Sequence, residues 1–303
     1  MGMATLAVPG VRLDWEMDES PYTDLERPPL DERALARALV RPGGLWREIE
    51  VVAATGSTNA DLVVAAGQGA LEGAVLVAEA QTAGRGRLGR VWQAPPRAGL
   101  TFSMLLRPAV PGGRLTWLPL LTGVAVAAAV ERLTERAAAG DFGATAGGAV
   151  RPTLKWPNDV LVGERKLGGI LVESKGEAVI VGVGLNVGLK PDELPVPSAT
   201  SLAIERAAVT DRGMLLRAIL REFERRYETW VAAEGDPGPS GVRAAYRAVC
   251  ATLGRDVRVE LPGERVLSGT ATDVDEGGRL LVRRADGGED AVGAGDVVHV
   301  RGG

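Results

Sequence analysis

The most unusual local sequence in the chain is residues 84–90 (GRGRLGR), in which three arginines alternate with glycines and a leucine. Glycine permits close backbone approach and unusual dihedral angles, and arginine offers planar, multi-donor contacts to carboxylate or phosphate. The run follows an apolar segment typical of a buried strand, which favours an anion-binding loop over the alternative, a solvated basic turn. It also matches the GxGxxG pattern of dinucleotide-binding folds, which need a helix directly after the glycines and an acidic residue about 20 positions on. Trp92, two prolines and a strand-like segment follow instead, so that fold is excluded.

A lysine, an amide and a carboxylate fall together in residues 155–159 (KWPND). Lysine is a compact cation that suits a carboxylate or an α-phosphate. Asn158 can both donate to and accept from an adenine or a ribose, and Asp159 could assist a magnesium site. Taken alone, Trp156 is expected in the core and Asp159 at a turn, so the segment carries chemistry only in combination with others.

Two further segments place polar groups next to apolar ones. Residues 56–59 (GSTN) form a predicted strand-to-helix turn, where hydroxyls and an amide either cap the helix or hold a neutral polar ring. Residues 182–186 (GVGLN) end an apolar strand, where the glycines either admit a ligand or relieve crowding. No Gly-Lys dipeptide occurs in the chain, which excludes a Walker A loop.

Together the four segments contain cations, amides and hydroxyls but no evident nucleophile. This set suits adenylation, in which the substrate's own carboxylate attacks the α-phosphate and the protein contributes positioning and charge stabilisation. The single histidine, His299, argues against a Ser-His-Asp triad, a Cys-His pair and a His-rich zinc site. The net charge of -4, from 35 basic and 39 acidic residues, gives no bulk-basic signal for nucleic acid or an anionic membrane.

The elements that must position these segments form a mixed pattern. Caps and helical spacing predict helices after Asp31, after Ser57, over residues 115–138 and 211–231, and up to about residue 253. Strand patterns occupy the segments between them, and three strands with short turns over 153–188 predict a meander. From Gly254 onward, short strands separated by glycine-rich turns predict a small SH3-like barrel. The predicted fold class is α+β.

The compartment is predicted from what the chain contains. Residues 1–30 hold four prolines among acidic residues, so a mobile tail and no signal peptide are expected there. The longest uncharged apolar run, residues 115–130, is shorter than the ~20 residues that span a bilayer, which predicts a buried helix. The single cysteine, Cys250, cannot form an internal disulfide, which fits a reducing cytosol. A cytoplasmic protein without a membrane partner is therefore expected.

Taken in order, the segments GSTN, EAQTAGRGRLGRVW, KWPND, RKLGGILVE and GVGLN closely resemble those of the biotin protein ligases. The resemblance implies a class II aminoacyl-tRNA synthetase-like mixed-sheet catalytic domain over residues 45–253 and an SH3-like β-barrel over 254–303, after a flexible tail with one short helix over 1–44. It also implies ATP-dependent biotin ligation. Biotin and ATP with Mg²⁺ would form biotinyl-5'-AMP, and a lysine of the biotin carboxyl carrier domain of an acyl-CoA carboxylase would then attack it.

The same resemblance implies roles for individual residues. Lys155 and Arg87 are expected to be catalytic, with Lys155 holding the biotin carboxylate and the α-phosphate as negative charge develops. The residues expected to bind biotin are Ser57, Thr58, Asn59, Gln81, Arg85, Gly86, Arg87 and Lys155. Those expected on the ATP side are Trp92, Asn158, Lys166 and Asn186. No metal ligand is assigned.

Two other functions stay open from the sequence. A lipoate or octanoate ligase would need an apolar tunnel for an acyl chain, whereas the polar residues 57–59 and Gln81 favour a ureido ring. A non-catalytic biotin sensor would not need Lys155 and Arg85 for charge at an α-phosphate. Some members of the family carry a winged helix-turn-helix repressor domain, but the roughly fifty residues before the GSTN turn are acidic and proline-rich, so a monofunctional ligase without DNA binding is expected.

Overall fold

The computed structural model describes residues 27–143, 146–261, 265–293 and 295–300. The helices within these ranges are α1 (Glu32–Leu39), α2 (Thr58–Gly67), α3 (Leu118–Ala138), α4 (Arg212–Ala232) and α5 (Val242–Val249). The strands are β1 (Glu48–Val52), β2 (Ala74–Ala78), β3 (Gly99–Leu106), β4 (Thr153–Lys155), β5 (Asp159–Val162), β6 (Arg165–Lys175), β7 (Ala178–Asn186), β8 (Asp256–Leu261), β9 (Arg265–Val274), β10 (Leu280–Arg283), β11 (Glu289–Val292) and β12 (Asp296–His299).

A seven-stranded mixed sheet in the order β1-β2-β3-β7-β6-β5-β4 forms the larger part of the molecule. The pair β1 and β2 is parallel, and every other neighbouring pair in this sheet is antiparallel. The central strand β7 is buried along its whole length and pairs with β3 from Gly99 opposite Asn186 to Leu106 opposite Val179. A strand covered on both faces reads as a continuous apolar run, which is what the sequence of β7 shows.

Helices cover both faces of this sheet. The α2 side holds a small apolar cluster that includes Leu62, Leu105 and Ile180. On the other face α3 and α4 pack against each other over the main core. By length and composition α3, with the turn before it, is apolar enough to cross a bilayer, but 67% of its most apolar stretch is buried. This helix is therefore buried in the core, as the sequence predicts.

The C-terminal strands form a second, antiparallel sheet in the order β11-β10-β9-β8-β12. Its apolar face, including Val259 and Val282, belongs to the same continuous core as the large sheet. Two buried indoles link the part of the chain that forms the large sheet to the turn between β9 and β10. Trp117 Nε1 donates to Glu276 O at 2.7 Å, and Trp156 Nε1 donates to Gly278 O at 3.0 Å. The predicted α+β class is confirmed, although no ladder joins β11 to β12 among the described residues, so hydrogen bonds do not close this sheet into a barrel there.

The meander over residues 153–188 differs from the prediction at its first strand. Residues 153–163 read as one strand, but the structure divides them into β4 and β5 with a turn at 156–158. Proline at 157 lacks an N–H and restricts the backbone of Trp156, so a continuous strand is disfavoured at this point. The resulting hairpin places Lys155 opposite Asp159.

The predicted tail over residues 1–30 lies outside the described residues as far as residue 26. The four residues that follow run along the large domain. Arg27 Nη2 donates to Gly188 O at 3.0 Å, Arg212 Nη2 donates to Pro28 O at 2.7 Å, and Leu30 N donates to Glu79 Oε1 at 2.6 Å. At Asp31 the carboxylate accepts from Ala34 N at 2.9 Å, which confirms the predicted cap of α1. The domain limits at residues 44 and 253 stay predictions.

Candidate functional site

A pocket of about 660 Å³ opens between the 84–90 loop, the start of α2, the β4–β5 hairpin and strand β12. Every residue for which the sequence predicts a ligand contact lines it. These residues are separated by more than a hundred positions in the chain, and the large sheet brings them together. The pocket has three chemically distinct parts, a neutral polar end, a cationic centre and a second polar end at the carboxyl end of β7.

The neutral end is built at the first turn of α2. Ser57 caps this helix, with its Oγ 3.5 Å from Ala60 N. Thr58 N donates to Gln81 Oε1 at 2.9 Å, and Thr58 Oγ1 lies 3.1 Å from the same oxygen. Because Gln81 Oε1 faces these two groups, the Gln81 amide hydrogens remain for a ligand. The same turn therefore holds the cap of α2 and polar groups that line the pocket.

Asn59 is held from three directions. Its Oδ1 accepts from Ser103 Oγ at 2.6 Å, and its Nδ2 donates to Leu171 O at 3.3 Å and to Glu173 Oε2 at 2.8 Å. Both Nδ2 hydrogens are thus committed, and one Oδ1 lone pair is left for a ligand. Sequence reasoning missed Ser103 and Glu173. For Ser103 the available signal was a polar residue within a mostly apolar strand, whereas Glu173 lies at the polar end of β6 and gave no such signal.

Glycine at two positions of β7 is required by the pocket. A Cβ on Gly182 would lie closer than 3.0 Å to the Asn59 side chain, and a Cβ on Gly184 would overlap the Trp92 indole in the same way. The sequence left open whether these glycines admit a ligand or relieve crowding. The structure shows that they make room for two pocket side chains, Asn59 and Trp92.

The 84–90 loop is a closed hairpin in which Gly86 N donates to Arg90 O at 2.7 Å and Trp92 N donates to Gly84 O at 2.9 Å. Leu88 has a φ of 57°, in the left-handed region that a branched side chain rarely adopts. The conformation is held by the contacts of the loop's arginines on both sides of Leu88.

The three loop arginines contact three different elements around the pocket. Arg85 Nη1 lies 3.7 Å from Glu173 Oε1 on β6. Arg87 Nη1 donates to Asn158 Oδ1 at 2.9 Å, and Arg90 forms an ion pair with Asp296 on β12. Burial lowers the pKa of Arg87 from its usual value, and Asp159 and Asp296 oppose that shift. The loop is therefore fastened across the pocket by charge-assisted contacts.

The cationic centre lies at the β4–β5 hairpin. Lys166 Nζ lies 2.7 Å from Asp159 Oδ1, so these two charges compensate each other. Asn158 Nδ2 donates to Ile170 O at 3.2 Å, which fixes the amide that Arg87 contacts. Lys155 lines the same pocket, and within the described ranges its ammonium has no protein partner. Its charge is available to an anionic ligand.

The end of the pocket at the carboxyl end of β7 contains unpaired buried groups. Asn186 Nδ2 donates to Thr200 O at 2.9 Å, while Asn186 Oδ1 and Trp92 Nε1 have no partner among the described residues. An unsatisfied buried polar group costs about 1–3 kcal/mol. A ligand that offers both a donor and an acceptor would satisfy the two groups, and a nucleoside has this character.

The C-terminal sheet contributes a wall that the sequence did not predict. Trp156 N donates to Thr252 Oγ1 at 3.0 Å, and Thr252 Oγ1 lies 3.1 Å from His299 Nε2. The Thr252 hydroxyl accepts from the backbone and keeps a second lone pair and one hydrogen, so it can either donate to or accept from His299 Nε2 according to the imidazole tautomer. Burial, with the nearby charges of Lys155 and Arg255, lowers the pKa of His299 to about 4.

The lowered pKa of His299 predicts an acid-sensitive fold. Between the usual value of 6.5 and about 4, the unfolded chain takes up a proton that the folded chain does not, so stability falls as the pH falls through this window. The expected contribution is about 1–2 kcal/mol, less than the full shift because His299 is only half-buried. Urea unfolding of the wild type and of His299→Gln at pH 7.5 and pH 4.5 measures it. The wild type should lose more stability than the variant, and an equal loss would contradict the prediction.

The chain matches two protein-family models, one in each of its two sheets. A model described as the biotin/lipoate A/B protein ligase family matches residues 65–189, and one described as the biotin protein ligase C terminal domain matches residues 252–300. The chain is 45% identical to the biotin--[acetyl-CoA-carboxylase] ligase of Mycobacterium tuberculosis over 283 residues, which cover 92% of this chain and 98% of that protein. It is 32% identical to the bifunctional ligase/repressor BirA of Bacillus subtilis, covering 78% of this chain and 69% of that one.

A solved structure agrees with these relatives. The biotin protein ligase from Aquifex aeolicus in complex with biotin and ATP aligns with a TM-score of 0.68 and 28% identity, covering 85% of this chain and 100% of that one. The resemblance carried by the five ordered segments is thus confirmed over both sheets. With 45% identity across nearly the whole length of both proteins, the chain belongs to the biotin protein ligase family.

Proposed function

We propose that this chain is an ATP-dependent biotin ligase, which forms biotinyl-5'-AMP in the pocket and transfers biotin to a lysine of the biotin carboxyl carrier domain of an acetyl-CoA carboxylase. The observation that carries the proposal is the position of Lys155, an uncompensated cation between a neutral polar end and an end with unpaired buried groups. The names of the relatives support it, since the Mycobacterium tuberculosis protein is called a biotin--[acetyl-CoA-carboxylase] ligase and the Aquifex aeolicus structure holds biotin and ATP.

The proposed chemistry has two steps. In the first, a carboxylate oxygen of biotin attacks the α-phosphorus of ATP, the bond to pyrophosphate breaks, and Lys155 stabilises the negative charge that develops. In the second, the deprotonated Nζ of the acceptor lysine attacks the carbonyl carbon of the adenylate, and AMP leaves with the C–O bond electrons. The ring of biotin would lie at residues 57–59 and Gln81, and the nucleotide at Trp92 and Asn186. Arg87 would hold the loop and Asn158 around the reacting centre.

We assign Mg²⁺ to the ATP phosphates rather than to a protein cage. Among the described residues no group of three or more His, Cys, Asp or Glu side chains is arranged to hold a metal ion. Mg²⁺ in nucleotide sites keeps several waters and uses one or two carboxylates together with substrate phosphates. Asp159, which lines the pocket in a pair with Lys166, fits that pattern. When bound, the ion would neutralise phosphate charge.

We also propose a cytoplasmic location. Cys250 is free and buried, which is compatible with a reducing compartment. In the cytoplasm the chain would have access to ATP and to the proposed acceptor protein.

Intact-mass spectrometry of a biotin carboxyl carrier domain tests the proposal. The domain is incubated with the chain, biotin, ATP and Mg²⁺, and one biotinyl addition on a single lysine is expected, with none when ATP is omitted. Biotin-dependent AMP without an addition would show that the adenylation is right and the acceptor wrong. Addition of lipoate in place of biotin would favour the lipoyl-transfer alternative, and biotin binding without any product would favour a sensor.

A further inference from the structure

Glu173 lies near the end of β6, outside the lining of the pocket, and its carboxylate faces two pocket groups at once. Oε2 accepts from Asn59 Nδ2 at 2.8 Å, and Oε1 lies 3.7 Å from Arg85 Nη1. Asn59 belongs to the neutral end of the pocket and Arg85 to the 84–90 loop. The Glu173 side chain therefore contacts two parts of the pocket that come from separate segments of the chain.

The contact with Asn59 determines how that amide is oriented. Asn59 is 4% exposed, so each of its Nδ2 hydrogens needs a protein partner. Leu171 O supplies one and Glu173 the other, while Ser103 occupies Oδ1. Without the Glu173 carboxylate the amide would lose its shorter Nδ2 hydrogen bond and could rotate.

The contact with Arg85 is of a different kind. The Arg85 and Glu173 side chains are 50% and 31% exposed, so water and salt screen the pair. Arg87 and Arg90 hold the loop to the hairpin and to β12 by separate contacts. The pair with Glu173 is a side-chain contact between the loop and the side of the pocket where Asn59 lies, and it adds to the backbone hydrogen bond from Ala83 N to Gly56 O at 2.9 Å. Its loss would loosen the loop on that side.

We propose that Glu173 is a positioning residue, which orients Asn59 against the biotin ring and holds the 84–90 loop over the same end of the pocket, so that the adenylate is retained. The proposal rests on the proposed ligase function. Glu173 takes no part in bond making, and acts through Asn59 and Arg85.

Two substitutions separate the contacts of Glu173. Glu173→Gln keeps an oxygen for Asn59 but removes the charge that faces Arg85, so biotin affinity should stay within about twofold while the adenylate dissociates about three- to fivefold faster. Glu173→Ala removes both contacts, and biotin affinity should fall about five- to tenfold as well. Glu177→Gln, on the exposed turn between β6 and β7, is the matched control and should leave both quantities unchanged.

A double-mutant cycle with Arg85→Gln tests the coupling. Arg85→Gln should speed adenylate dissociation in the wild type but add less than about twofold in the Glu173→Gln background. Equal effects in both backgrounds, or an unchanged dissociation rate in Glu173→Gln, would overturn the proposal. A purely structural role would lower the unfolding temperature without this split between biotin affinity and adenylate release.

Hydrogen exchange of the ligand-free protein keeps this test independent of the reaction. Amides of residues 84–92 should exchange faster in Glu173→Gln than in the wild type and in Glu177→Gln. Faster exchange in a protein that forms no adenylate would support the attachment of the loop while rejecting the ligase function. Unchanged exchange would overturn the attachment even if the ligase is active.

Discussion

Lys155→Ala is expected to lower the rate of biotinyl-adenylate formation by about 10²- to 10³-fold. The reason is that Lys155 is an uncompensated cation at the centre of the pocket, whereas the charge of Lys166 is matched by Asp159 at 2.7 Å. Biotin affinity should fall by less than about tenfold, because the ring end is built from other residues and only one carboxylate contact is lost. Single-turnover release of pyrophosphate measures the rate, and calorimetry measures the affinity.

Two controls distinguish this effect from misfolding. Lys175→Ala removes an exposed lysine at the end of β6 and should leave the rate unchanged. The unfolding temperature of Lys155→Ala should match the wild type, since the ammonium makes no protein hydrogen bond within the described ranges. A Lys155→Ala protein that forms adenylate at the wild-type rate would remove Lys155 from the proposed mechanism.

The second large effect is expected at the two glycines of β7, with a separate consequence for each. In Gly182→Ala the new Cβ meets the Asn59 side chain, so biotin affinity should fall about 10- to 100-fold with little change in ATP affinity. In Gly184→Ala the new Cβ meets the Trp92 indole, so ATP affinity should fall by a similar factor and biotin affinity should change much less. Calorimetric titration of each variant with biotin and with ATP measures both.

Gly188→Ala is the matched control, because its Cβ would meet only Ala98 O, at an ordinary 3.7 Å. It should bind both ligands as the wild type does. If Gly182→Ala and Gly184→Ala weakened both ligands equally, the two ends of the pocket would not be separate subsites. If neither variant weakened binding, the assignment of these ends to biotin and nucleotide would be wrong.

Much of this architecture can be predicted from the amino-acid sequence. Asp31 and Ser57 cap their helices, as their residue types predict. The apolar run at residues 115–130 lies in a core helix, and glycine-rich turns separate short strands after Gly254. The resemblance to the biotin protein ligases rests on five short segments in a fixed order, and each segment contains residue types suited to a particular contact or reaction. Helix caps, apolar runs, turns and short motifs each depend on residues that are close together in the chain, so they can be predicted from the sequence.

Which side chains pair across the pocket is determined by the tertiary structure. Ser103 and Glu173 reach Asn59 from strands 44 and 114 residues away, and Thr252 joins Trp156 to His299 across two sheets. The sequence predicted one strand over residues 153–163, but the chain turns at Pro157 and the hairpin sets Lys155 beside Asp159. Strand register and sheet order place side chains next to each other at any separation in the chain, and neither can be read from local pattern. Sequence alone therefore determined which groups this protein has for its chemistry, and only the tertiary structure decided which of them are paired and which, like Lys155, are left for a ligand.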